Sequence, residues 1–100
     1  MQIDKLRGKE LDKFFEAILQ LENIEECYQF FDDVATINEI KSFAQRLHVA
    51  DLLYDGKKYT EIEQETNAST ATISRVRRCL DFGSGGYRLV LDKMKKESKE

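Results

Sequence analysis

Within the run YTEIEQETNASTATISRVRR, Tyr59 to Arg78, small polar and cationic side chains recur at intervals that gather them on one side of a helix. If the backbone is helical from Ser69 or Thr70 onward, Ile73, Val76 and Leu80 share a face at three- and four-residue spacing. The opposite face then carries Thr70, Ala71, Ser74, Arg75, Arg77 and Arg78, hydrogen-bonding at its start and cationic at its end. Short side chains allow close approach to base edges in a DNA major groove, and guanidinium forks suit guanine edges or phosphates. The preceding residues read as a shorter helix with Ile62 as its apolar anchor. Thr60 is its expected cap, with Glu63 reaching back to complete a capping box. Asn67 falls at the turn, a position it can hold at positive φ. The pattern is that of a helix-turn-helix over residues 59–80, with Ser69 or Thr70 opening the second helix. A structural helical hairpin with solvated arginines would share it.

Other chemistry is sparsely supplied. The chain has two cysteines, Cys27 and Cys79, no C-x-x-C and one histidine, His48. A metal site needs three or four convergent ligands, so both cysteines read as small, reduced, partly buried apolar residues. His48 reads as a structural or solvent-edge residue beside Arg46. With no nucleophile–base pair, no phosphate-cradling loop joined to a strand and acids scattered over helical faces, the inventory argues against an enzyme. It implies no resident cofactor or metal.

The elements that must position these residues are helical. Proline is absent, and the five glycines include Gly56 and the group Gly83, Gly85 and Gly86. A first helix is expected from about Ile3 to Leu21, with Leu11, Phe14, Phe15, Ile18, Leu19 and Leu21 as its apolar face. A second starts at Asn23, with Glu26 in the box position. A third starts at Thr36 with Glu39 in the box position and runs to about Tyr54, its buried stripe being Ile37, Ile40, Phe43, Ala44, Leu47, Ala50 and Leu53 or Leu52. A last helix spans 84–97, and the charged tail from Lys95 to Glu100 is expected to fray. One all-α, six-helix domain over residues 1–100 results, with residues 1–55 serving mainly core and dimerisation. Phe14, Phe15, Tyr28, Phe30 and Phe31 exceed what two short helices of one chain can hide, which points to a homodimer. A two-fold dimer would set two recognition helices about one DNA turn apart on a palindromic site. No run of eighteen apolar residues occurs and the start MQIDKLRGKE is too charged for a signal peptide, so the expected location is cytoplasmic, without a membrane partner.

Charge is unevenly distributed. Residues 1–55 hold six Lys/Arg against twelve Asp/Glu, residues 56–100 ten against seven, and no acid lies between Thr66 and Leu80. A local basic face can attract double-stranded DNA even on an acidic chain, with strong salt dependence. A helical protein-interaction adaptor, its arginines meeting an acidic partner, is the alternative.

The order Asn67 to Val76 resembles the turn and recognition helix of many bacterial repressors, except that Glu63 stands where such motifs usually keep a small residue facing the second helix. From about Leu11 to Asp92 the chain resembles the Trp repressor superfamily, in particular its YerC/YecD-type members. The resemblance is carried by Ala35-Thr36-Ile37-Asn38-Glu39-Ile40, by Gln45-Arg46-Leu47-His48-Val49-Ala50-Asp51-Leu52-Leu53 and by Ala71-Thr72-Ile73-Ser74-Arg75. It implies an intertwined, all-helical homodimer that regulates transcription by binding operator DNA. It assigns DNA contacts to Thr60, Thr70, Ala71 and Ser74. With the cap Ser69 and the cationic Arg75, Arg77 and Arg78, these form the candidate DNA-binding set. The resemblance further implies an effector pocket of Thr36, Arg46, Arg75, Val76 and Cys79. Here Val76 replaces the glycine of tryptophan-responsive members and fills space a flat ring needs, and Cys79 replaces a ligand-contacting serine, which argues against tryptophan as corepressor. Either another small ligand binds, or side chains close the pocket and DNA binding is constitutive. Without the resemblance, Arg46 reads as a surface cation or an ion-pair partner of Asp51 or Asp55.

Overall fold

Six α-helices and a 3-10 turn form the described part of the chain, residues 1–98, in a computed structural model. The turn is Gln2–Leu6, followed by α1 Lys9–Ile18, α2 Ile24–Val34, α3 Ile37–Tyr54, α4 Tyr59–Thr66, α5 Thr70–Phe82 and α6 Gly86–Ser98. They divide into two compact units, Met1–Ile40 and a second that begins at Lys41. Among the described residues, no helix is long and apolar enough to cross a membrane.

In the first unit the expected helix from Ile3 to Leu21 is instead two pieces. Asp4 accepts from the terminal ammonium at 2.9 Å and from Arg7 Nε at 2.6 Å, closing a separate short turn before the extended Gly8 starts α1. Asn23 caps α2 as expected, its Oδ1 accepting the Glu26 N–H at 2.8 Å, but Glu26 reaches back to the Glu22 N–H rather than to Asn23. Thr36 and Glu39 form the full reciprocal box that opens α3, with bonds of 2.9 and 3.2 Å. The Thr36 amide and hydroxyl hold the Glu39 carboxyl below its ordinary value. Phe14, Phe30 and Phe31 pack ring on ring, with Phe30 and Phe31 edge to face at 5.3 Å, yet α1 and α2 contain no buried residue.

The second unit holds the core: Val49, Ala50 and Leu53 of α3, Ile62 of α4, Ala68 of the turn, Ile73, Val76 and Leu80 of α5, and Leu91 of α6. Only part of the expected α3 stripe joins it. Ile37, Phe43, Ala44 and Leu47 stay exposed: the α3 residues that join this core, Val49, Ala50 and Leu53, all lie in its C-terminal turns. The end of α3 is bound to α6 through the Tyr54 hydroxyl donating to Asp92 Oδ1 at 2.6 Å and the Lys95–Asp55 ion pair. α6 is helical to Ser98, through most of the stretch expected to fray; the last two residues of that expectation lie outside the described residues.

Candidate nucleic-acid interface

The geometry of the helix pair follows from what it buries. Ile62 from α4 and Ile73 and Val76 from α5 are almost wholly removed from solvent and lock the two helices together. Removing such apolar surface from water stabilises by roughly 25 cal/mol per Å². The turn is closed by Asn67 at φ 58°, ψ 16°, as its sequence position predicts. Thr66 Oγ1 donates to the Ile62 carbonyl at 2.7 Å and accepts the Ala68 N–H at 3.1 Å, while Gln45 Nε2 of α3 donates to the Thr66 carbonyl at 3.1 Å. Ser69 is the N-cap: its Oγ accepts the Thr72 N–H and donates to Thr72 Oγ1, both at 3.1 Å. Its hydroxyl is therefore engaged within the helix start.

The expected Thr60–Glu63 box does not form. The N-cap of α4 is Lys58, two residues earlier, so Thr60 is already helical and Glu63 lies a turn inside. Glu63 reaches forward instead, its Oε1 accepting from Thr70 Oγ1 at 2.8 Å. The carboxylate flagged by the sequence as unusual for this position thus bridges the two helices.

Thr60, Thr70, Ala71, Ser74, Arg75, Arg77 and Arg78 are all exposed, as is Ser69. The apolar members of α5 point inward, so the outer face is polar then cationic, as its spacing requires. The cations are not equivalent. Arg77 Nε donates to Asp81 Oδ2 at 2.9 Å, and Arg88 Nη2 lies 3.6 Å from the other oxygen of Asp81. Arg75 and Arg78 have no ion-pair partner among the described residues.

The candidate effector residues divide. Thr36 belongs to the first unit, its hydroxyl used in the α3 cap. Val76 is core, 1% exposed. Arg46 donates to the Ser42 carbonyl and hydroxyl and lies over the Phe43 ring at 5.3 Å; it pairs with neither Asp51 nor Asp55. Arg46, Arg75 and Cys79 all act electrostatically on Tyr87, a half-buried residue of α6 packed against the core. Burial pushes the Tyr87 hydroxyl above its ordinary value; the two guanidinium charges pull it down and Cys79 adds to the rise. Tyr87, Asp81 and the bridging role of Glu63 were not evident from spacing. The signal for Tyr87 was its place just after the glycine break, an apolar ring with a polar tip. Both cysteines are free and exposed rather than partly buried. His48 is exposed at the surface, its Nε2 3.4 Å from Glu65. Among the described residues no group of three or more His, Cys, Asp or Glu could hold a metal ion.

Residues 9–95 match the family described as Trp repressor protein. The chain is 61% identical over 100 residues to the uncharacterised YerC protein of Bacillus subtilis, a match covering 100% of this chain and 96% of that protein. The solved structure of a Trp repressor candidate from Staphylococcus aureus superposes with a TM-score of 0.92 at 60% identity, over 95% of each chain. That of a TrpR-like protein from Eubacterium eligens does so with 0.89 at 46% identity, over 92% of this chain and 95% of the other.

Proposed function

The chain belongs to the Trp repressor protein family, and from that premise we propose that it is a sequence-specific, DNA-binding transcriptional regulator. It acts as a cytoplasmic homodimer that represses from a palindromic operator. The observation that carries this reading is the outer face of α5: exposed Thr70, Ala71, Ser74, Arg75 and Arg78 backed by buried Ile73, Val76 and Leu80. A rigid helix with small side chains first and guanidinium groups last suits a major groove flanked by phosphates. Dimerisation is supported by the first unit, where Leu19, Ile24 and Tyr28 are more than two-thirds exposed and no residue of α1 or α2 is fully buried. Tryptophan has no role in this reading, since Val76 takes up core space with its side chain.

Fluorescence anisotropy with a random duplex at two salt concentrations tests the proposal. A regulator binds at low salt and weakens steeply as salt rises. A helical adaptor leaves the duplex free at both, and that result would refute DNA binding.

A further inference from the structure

We propose that Glu63 and Thr70 together read one base pair, selecting cytosine through its exocyclic amino group. The inference rests on the reading of α4 and α5 as a DNA-binding pair. Thr70 is the first residue of α5, and its hydroxyl donates to Glu63 Oε1 at 2.8 Å. A hydroxyl has a single proton. With that proton committed to Glu63, Thr70 Oγ1 presents only lone pairs outward. An ionised carboxylate is likewise an acceptor only, and Glu63 Oε2 has no hydrogen-bond partner among the described residues. Thr70 is exposed and Glu63 half-buried between the helices, so the two side chains form one acceptor-only edge at the start of the helix face.

The chemistry of the major groove then decides what this edge can meet. Guanine offers the acceptors N7 and O6, and thymine the acceptor O4 beside a methyl group. Facing lone pairs with lone pairs repels. Adenine offers its N6 amino group between two acceptors, its own N7 and the paired thymine O4, while cytosine offers the N4 amino group with an acceptor, the paired guanine O6, on one side only. Cytosine is the match. The negative charge also disfavours a phosphate at this point, and no other acid lies between Thr66 and Leu80 to share the role. A merely structural Glu63 would brace the two helices and favour the start of α5 through the helix dipole; it would not choose a base.

The test is selection of binding sites from a random duplex pool by the full chain, as wild type, Glu63→Gln and Thr70→Val, followed by anisotropy titration on single-base variants of the selected site. Wild type is expected to hold cytosine at one position per half-site with about tenfold preference over the other bases. Glu63→Gln, whose amide both donates and accepts, moves that preference to adenine, the bidentate partner of Gln. Thr70→Val flattens the preference at that position and leaves the others intact. An unchanged base choice in Glu63→Gln, or a uniform loss of affinity with base choice preserved, overturns the inference while leaving DNA binding in place. A wild type that binds no duplex removes the parent reading first, before any base choice can be read. If one variant fails to fold, the other still decides the matter.

Discussion

An arginine contributes to DNA affinity in proportion to how freely its charge can exchange a neighbour for a phosphate. Arg78 is exposed without an ion-pair partner among the described residues, whereas Arg77 is shared with Asp81. An exposed pair of this kind is weak, of order 0–1 kcal/mol, so it can open on DNA, but the opening offsets part of the gain. Arg78→Ala should therefore weaken binding to all duplexes and flatten the log–log salt slope by about one unit. Arg77→Ala should flatten it less, and Asp81→Asn should tighten binding. Equal slopes for the two arginine variants would contradict the assignment. Ser74→Ala, by contrast, should change which duplex is preferred, read by competition between operator variants. At the effector residues the expectation is negative: L-tryptophan should leave both the thermal midpoint and DNA affinity unchanged, because Val76 is part of the core. A midpoint shift that saturates with tryptophan would restore the pocket. The polar face of α5 was legible from spacing alone, since a period of 3.6 assigns each residue a side. The Glu63–Thr70 bridge and the Asp81 sharing were not, because they depend on where α4 begins and on which rotamer a long side chain adopts.

Helix boundaries obey local chemistry, and that is why most of them could be read in advance. The Thr36–Glu39 box, the Asn23 and Ser69 caps and the left-handed Asn67 each satisfy backbone groups that a helix end leaves open. The failures have the same origin. Lys58 starts α4 without a side-chain cap, so no capping hydroxyl, amide or carboxylate marks the boundary, and the first helix is interrupted where Gly8 is extended between a short 3-10 turn and α1. Removing the reciprocal box has a pH signature. The folded-state value of Glu39 lies below the ordinary 4.5, so its contribution is present above pH 4.5 and is lost as the pH falls through the lower folded value. Glu39→Gln should lower the melting temperature near neutral pH, and the gap from wild type should close on acidification. A gap independent of pH would mean the carboxylate charge is idle. Gly83 ends α5 for a steric reason: its N–H donates to the Cys79 carbonyl at 2.8 Å, and a Cβ there would stand 2.3 Å from that same oxygen. Gly83→Ala should cost roughly 1–3 kcal/mol in denaturant unfolding as the cap rearranges.

At the scale of the whole molecule the question is what balances the entropy of ordering the first unit. Fixing a residue's backbone costs roughly 1–2 kcal/mol, and α1 and α2 offset this with no residue buried inside their own unit. Leu19 is 79% exposed, Ile24 76% and Tyr28 71%, and in the second unit Phe43 remains 56% exposed beside Arg46. Apolar surface on that scale stabilises only when something covers it, and in the proposed homodimer a second copy of the chain is that occupant, which also supplies two α5 helices for a palindromic site. On that proposal folding and association are one equilibrium, and stability is expected to depend on protein concentration. The thermal midpoint should rise as the protein is concentrated, and sedimentation should give twice the chain mass. Leu19→Glu places a charge on the exposed apolar residue that caps the end of α1, without touching α5. It should shift the mass toward the single chain, lower the midpoint, and weaken operator binding far more than binding to random duplex, because one half-site contact is lost while local charge is kept. A wild type that sediments as a single chain with a midpoint indifferent to concentration would mean that this apolar surface is solvated as it stands, and the two-fold account of operator binding would have to be abandoned.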